Sequence, residues 1–380
     1  MIRLLSVQPV AERGGSDQAL LRMIRSLPSD EFDCHIALPA RSPMHAELTA
    51  TGATLHVVPM RRLSLSHGAR DWLAYGAGWP IAVTRLVRLA RRLDVEVIHS
   101  NSLHSVYGWA AAALVRRPHV WHAREIVVQS GAALHVERFL ARRFATRVIC
   151  MSEAIARQLD RRNVEIVYET ADPSEFRPEL AGEFRARVGV PDDAPLFGAV
   201  GRIDSWKGFD VLLDAYERAK RARPDVHLVV AGGAVTGKEA LATALEARAA
   251  GLEDVHWLGP RTDVPELFAD LDLFVVPSTE PEPYGLVAVE ALASGVPIIV
   301  TDAGGPPEIL ARAAPDAGRA VRPGDAVALA GAITDLLVSA TDSATRRGRR
   351  SLQPPDESER FAAIFRQVAG ARHRRRSGPH

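Results

Sequence analysis

The sequence predicts two α/β domains, each built on a doubly wound parallel sheet. Three observations point there. Short β-branched or apolar runs alternate with longer helical patterns, the signature of βαβ units. The pattern opens twice in the same way: Ile2–Val7 leads into Gly14, Gly15 and a helix from Ser16, and Leu196–Val200 leads into Gly201 and a helix near Gly208. With 380 residues, the chain suits two domains at roughly 150 residues each.

Strand signals fall at residues 2–7, 33–38, 95–99, 119–122 and 147–151 in the first half. In the second they fall at 195–200, 226–231, 254–258, 273–276 and 297–301. The Pro-containing polar stretch ADPSEFRPELAG (171–182) reads as the boundary, giving an N-terminal domain over 1–180 and a C-terminal domain over 181–345. TRRGRRSLQPPDES reads as a polar linker. ESERFAAIFRQVAG reads as an amphipathic helix, residues 356–370, with Phe361, Ile364, Phe365 and Val368 on one face. ARHRRRSGPH (371–380) reads as a disordered basic tail. Open α/β sheets bind ligands beyond the carboxyl ends of their strands, so the site is expected between two such domains facing across a cleft.

Composition narrows the function classes. Apolar residues at 47% and charged residues at 24% exclude disorder, collagen-like repeats and coiled coil as the main architecture. Lys plus Arg at 47 against Asp plus Glu at 46 leaves a net charge of +1 and no global attraction to nucleic acid. Of those cations only Lys207, Lys220 and Lys238 are lysines, so a position that keeps lysine invites a reason. Two isolated cysteines, Cys34 and Cys150, fit a reducing compartment. The N-terminus has too few apolar residues for a signal peptide, and the apolar stretch 285–300 is short of a membrane span and contains Glu290. The chain reads as cytoplasmic.

Two segments carry chemistry. In EPEPYGLVAVEALASG (280–295), Glu290 follows Glu282 by eight positions inside an otherwise apolar helix. A carboxylate there costs several kcal/mol unless it is hydrogen-bonded or paired. If Gly285 starts the helix, its first N–H groups offer an anion site that both glutamates flank. The structural alternative is an ion pair for Glu290 and a solvated Glu282. In GRIDSWKGFD (201–210), Arg202 and Lys207 lie five apart around a turn after a strand, where both can reach one phosphate. Two ordinary solvated cations are the alternative.

With these residues in hand, the chain resembles retaining glycosyltransferases of family 4, which have the GT-B fold. EPEPYGLVAVE resembles their Glu-x7-Glu motif, and GRIDSWKGFD their diphosphate loop. The likeness runs on through HLVVAGG, VHWLGPRTDVPELFADLDLFVVPS and GVPIIVTDAGGPPEIL, and more loosely through ERGGSDQALLRMI, VWHAREI and VICMSEAIARQL. It covers residues 1 to about 335. The resemblance implies that Arg202 and Lys207 neutralise a nucleotide diphosphate and that Glu290 accepts from ribose hydroxyls. It also implies that Glu282 holds hydroxyls of the transferred sugar, and that Tyr284 and the backbone of Gly285, Leu286 and Val287 line the donor site. The backbone near Arg261 would meet the base, Gly15 would let its loop approach the diphosphate, and His122 would lie near the sugar and the reacting centre. Transfer would need no metal or other cofactor, a nucleotide sugar (UDP as the commonest carrier) serving as co-substrate. One departure stands out: the family commonly has an Asn-Gly-Val-Asp-like stretch where this chain reads Glu169-Thr170-Ala171-Asp172.

Other motifs and functions fit the sequence less well. GGAVTGKE (232–239) nearly matches the P-loop, but Glu239 replaces the Ser/Thr that would bind Mg²⁺, and the motif falls in mid-domain. Asp270-Leu271-Asp272 matches the Asp-x-Asp of metal-dependent sugar transferases, yet it reads better as a helix end and strand start. His99, His104, His119 and His122 have no zinc spacing. No G-x-G-x-x-G supports a dinucleotide-dependent dehydrogenase. Segment 70–93 places Arg85, Arg88, Arg91 and Arg92 beside Leu86, Leu89 and Leu93; a weak peripheral contact with the inner face of the membrane and an ordinary sheet-packed helix both fit. A nucleotide-sugar epimerase, a sugar phosphorylase and a non-catalytic binder are the rival functions. The expected acceptor is a hydroxyl on a polysaccharide, a lipid-linked precursor or a small metabolite such as an aminocyclitol. It is expected against the loop after Gly14–Gly15, segment 60–80 and residues 122–135.

Overall fold

Every strand pairing in both sheets is parallel, as the alternating pattern requires. The structure is a computed structural model and describes residues 1–11, 14–61, 69–103, 105–126, 131–159, 163–337 and 342–376. It divides into two units, one of residues 1–169 with 356–380 and one of residues 170–355.

Among the described residues the first unit holds seven strands: β1 (Ile2–Val7), β2 (Phe32–Leu38), β3 (Thr54–Val57), β4 (Val97–Ser100), β5 (His119–Ala123), β6 (Arg147–Cys150) and β7 (Val164–Ile166). Their order is β3-β2-β1-β4-β5-β6-β7. The second unit holds β8 (Leu196–Val200), β9 (His227–Ala231), β10 (Val255–Trp257), β11 (Leu273–Val276), β12 (Ile298–Thr301) and β13 (Gly318–Val321), in the order β10-β9-β8-β11-β12-β13. Both sheets are the doubly wound kind. Central strands such as Leu4–Val7 and Leu273–Val276 are buried along their length, because helices cover both faces of a parallel sheet. The strands the sequence did not announce, β3, β7 and β13, all lie at sheet edges, where half-exposed residues break the apolar run.

Two expectations are corrected. The first unit ends at Glu169 rather than at 180, and it regains the chain at Asp356. The C-terminal helix, Glu359–Arg376, is part of that unit: Phe361, Ile364, Phe365 and Val368 are buried with Leu20, Ile24, Phe32, Ile36 and Val97. Burying side chains of this size stabilises by about 1.5–3 kcal/mol each, enough to seat the helix firmly. The helix also runs through to Arg376, six residues into the segment read as a disordered tail; residues 377–380 lie outside the described residues. The helix Ala69–Arg92 packs with Leu86 and Leu89 buried and Arg85, Arg88, Arg91 and Arg92 exposed, as a helix on a sheet does. Among the described residues no helix is long and apolar enough to cross a membrane.

The stretch read as a polar linker contains an interior. Arg346 is fully buried, and its Nε donates to Asp270 Oδ1 at 3.2 Å. Asp270 also accepts from the backbone N–H of Gly182 at 2.8 Å and of Phe184 at 2.9 Å. Two residues on, Asp272 accepts from Arg185 Nη2 at 2.7 Å, Arg349 Nη2 at 3.0 Å and the Leu196 N–H at 3.0 Å. The Asp-x-Asp pair is thus the centre of a buried ion network at the amino end of β11. It ties the 182–185 segment and the 346–349 segment to the sheet. Removing one partner of such a network leaves an uncompensated buried charge, which costs about 3–5 kcal/mol. Asp270→Ala should lower the unfolding free energy by about that amount in urea denaturation; a change below about 1 kcal/mol would contradict this assignment.

Candidate active site

Because the second sheet is parallel, the loops after β8, β9, β10, β11 and β12 leave from one edge. The loops after β8 and β11 are joined there. Lys207 Nζ lies 2.6 Å from Glu282 Oε2, and Ser278 Oγ donates to the same oxygen at 2.9 Å. Thr279 N–H donates to the Trp206 carbonyl at 2.8 Å, and the Lys207 ammonium sits 4.3 Å from the Trp206 ring centroid. Two glycines make this approach possible. A Cβ on Gly208, at φ +69°, would meet the Pro277 carbonyl at 2.1 Å, and one on Gly304, at φ +83°, would meet the Glu282 carbonyl at 2.0 Å. Neither position accepts a side chain without moving backbone.

Within the segment 280–295 the helix starts at the glycine. Gly285, at φ +102°, is the N-cap of the helix Leu286–Ala293 and supplies no side-chain cap. The backbone at Leu286 and Val287 therefore begins the helix at the same edge as Glu282. Glu290 is half-buried within that helix and Tyr284 is buried. Arg202 is exposed and has no side-chain partner among the described residues. Arg261, in the loop after β10, pairs its guanidinium with Asp263, at 2.8 and 2.6 Å. Lys207, Glu282, Arg202, Gly285 and Glu290 thus gather at one edge of one unit.

Gly15 and His122 belong to the first unit. Gly15 is the exposed first residue of the helix Gly15–Arg25. His122 lies on β5 and is completely buried, with Phe361 of the C-terminal helix at a ring-centroid distance of 5.6 Å. Its Nδ1 is 3.2 Å from Arg124 Nη2. Arginine can only donate, so Nδ1 is the acceptor and the ring is the neutral Nε2–H tautomer. Burial, reinforced by Arg124 and His99, holds its pKa well below the ordinary histidine range.

Arg124 is the residue that sequence reasoning missed. It is buried, donates to Glu169 Oε1 at 2.6 Å and to Asn101 Oδ1 at 2.9 Å. Asn101 passes the chain on to Gln8 Oε1 at 3.1 Å and to the Ser16 carbonyl at 2.8 Å. Gln8 Nε2 reaches Asp17 Oδ1 at 3.1 Å. A buried polar chain therefore runs from Glu169 to the helix start beside Gly15. The one available signal was a charge directly after the apolar strand VWHA. The departure at Glu169 also finds its reason here: the carboxylate compensates Arg124.

No three His, Cys, Asp or Glu side chains come together as a metal set among the described residues. A cavity of about 320 Å³, lined by Leu38, Arg41, His45 and His56 among others, lies beyond the ends of β2 and β3 and contains none of the donor-motif residues. Of the segments expected to meet the acceptor, residues 12–13, 62–68 and 127–130 lie outside the described residues, as does His104.

Comparison with known proteins decides the family. The family described as Glycosyl transferases group 1 matches residues 181–351, and the Glycosyl transferase 4-like domain matches residues 14–169. A D-inositol 3-phosphate glycosyltransferase of Stackebrandtia nassauensis is 30% identical over 85% of this chain and 76% of its own length. The chain is a GT-B glycosyltransferase of the family 4 type. A lipopolysaccharide core mannosyltransferase of Rhizobium meliloti is 29% identical over 60% of this transferase and 67% of its own length. The match to an Arthrobacter D-inositol 3-phosphate glycosyltransferase, at 34% identity, spans only 40% of that protein, and several further relatives are matched over about half their length. Among solved structures, Anabaena Alr3699/HepE in complex with UDP and glucose superposes with a TM-score of 0.75 at 25% identity, covering 98% of this chain and all of that one.

The buried histidines of the transferase give a pH prediction. Burial lowers His99 and His122 well below the ordinary value and His119 to about 3. The unfolded chain takes up protons on all three below about pH 6.5, where the folded chain does not. Stability should therefore be full above pH 6.5 and fall on acidification, by about 1.4 kcal/mol per pH unit for each histidine. Urea denaturation at pH 7.5 and 5.5 checks this; equal stability at both would contradict it.

Proposed function

We propose that the transferase moves a sugar from a nucleoside diphosphate, with UDP the expected carrier, to a hydroxyl acceptor with retention of anomeric configuration and without a metal. The observation that carries the reading is the contact of Lys207 with Glu282, on the same edge as the helix start at Gly285 and as Arg202, which has no side-chain partner among the described residues. The complex of HepE with UDP and glucose supports the choice of donor class.

The chemistry is a problem of charge. As the bond from the anomeric carbon to the phosphate oxygen breaks, the diphosphate gains negative charge and the sugar becomes oxocarbenium-like. Preorganised cations and N–H dipoles aimed at the leaving group are the main source of stabilisation for such a step. Arg202 and Lys207 supply the cations, and the N–H groups of Leu286 and Val287 supply the dipoles. Glu282, held by Lys207 and Ser278, accepts from sugar hydroxyls, and Glu290 from the ribose. The acceptor oxygen attacks from the face that the phosphate leaves, and its proton passes to the departing phosphate oxygen, so no protein nucleophile is required. His122, buried and neutral, is assigned to positioning Arg124 rather than to proton transfer.

Thermal-shift screening of UDP- and GDP-sugars tests the reading. A donor stabilises the fold by mass action, about 2.7 kcal/mol at a hundred times its dissociation constant. Glu290→Ala should abolish the shift. Transfer should survive EDTA, and incubation with donor alone should give no epimer. Absence of any shift with either nucleotide series, or epimerisation without acceptor, would overturn the proposal.

A further inference from the structure

We propose that Lys238 is a third cation of the donor site, contacting the diphosphate of the bound nucleotide sugar beside Arg202 and Lys207. The inference rests on the donor reading above. It starts from the segment GGAVTGKE, which resembles a P-loop by sequence and yet lacks the metal-binding hydroxyl. In the structure Glu239 turns to the backbone instead, accepting from the Gly237 N–H at 3.0 Å.

The segment follows β9, the neighbour of β8, and it is stitched to the loop that carries Arg202 and Lys207. Gly201 N–H donates to the Ala231 carbonyl at 3.0 Å and Ile203 N–H to the Gly233 carbonyl at 2.8 Å. Ile203 and Ala234 form a parallel bridge. A Cβ on Gly232, at φ +157°, would lie 1.8 Å from the Gly201 carbonyl. The two loops cannot shift independently. Gly237, at φ +82°, then turns the chain so that Lys238 points its ammonium to within 4.0 Å of Asp204 Oδ1. Asp204 lies in sequence between Arg202 and Lys207, where it caps the short turn by accepting from the Ser205 N–H at 2.8 Å.

Charge counting gives Lys238 its task. Lys207 is compensated by Glu282 at 2.6 Å, and the Asp204 carboxylate faces Lys238. Lys207 is thus held by a carboxylate, while Arg202 has no side-chain partner among the described residues; a diphosphate carries more negative charge than one arginine balances. Lys238 brings a further cation to the loops that carry Arg202 and Lys207. Its ion pair with Asp204 is long and its side chain is 45% exposed, so the pair is weak. A lysine ammonium on a flexible stem can swing from such a partner to a phosphate oxygen.

The test compares Lys238→Gln and Lys238→Arg with the wild-type chain by calorimetric titration with UDP, GDP and uridine. A charge-assisted hydrogen bond to phosphate is worth about tenfold or more in affinity. Lys238→Gln should lose about that factor for the diphosphate, Lys238→Arg should keep most of it, and uridine should bind all three alike. Equal diphosphate affinity in wild type and Lys238→Gln would overturn the inference while leaving the donor reading intact. Equal loss of uridine and diphosphate would show a folding role instead and overturn it too. Failure of the wild type to bind either diphosphate would overturn both readings.

Discussion

The ion pair between Lys207 and Glu282 is the constraint from which the functional edge of the second unit follows. Seventy-five residues separate the two, and each sits in a loop with little structure of its own. Their side chains are only 16% and 10% exposed, so the attraction acts with less water screening than a surface pair. To bring them together, Gly208 must pass against Pro277 and Gly304 against Glu282, which explains glycine at both positions. The helix start at Gly285 is then fixed three residues beyond Glu282. One contact therefore sets the place of cation, carboxylate and helix N-terminus.

Much of this was legible before any coordinates. The central strands announce themselves as apolar runs because both faces of a parallel sheet are covered. The donor motifs stand out because a glutamate in an apolar helix and a lysine in an arginine-rich chain both break the local pattern. Asp270 and Asp272 were separated from a metal motif by their place between a helix and a strand, although the arginines that hold them were not foreseen.

What escaped the sequence has a common cause. Arg346 and Arg349 lie in a stretch that composition marks as solvated linker, and only the tertiary fold turns them inward onto Asp270 and Asp272. Arg124 and Glu169, 45 residues apart, are each unremarkable alone; the chain through Asn101 and Gln8 exists only once β1, β4 and β5 lie side by side. The C-terminal helix showed its apolar face clearly, but nothing in its sequence tells which unit receives it. Edge strands such as Val164–Ile166 have too few buried residues to register. Lys238 passed for a decoy because adjacency of β8 and β9 is a property of the sheet.

A double-mutant cycle over Lys207→Met and Glu282→Gln, read as kcat/KM for sugar transfer, addresses the central claim most directly. Two residues that act as one unit give strongly non-additive losses. The account predicts that each single variant loses about a hundredfold or more and that the double variant is little worse than the poorer single. Additive losses, or full activity in either single variant, would contradict it.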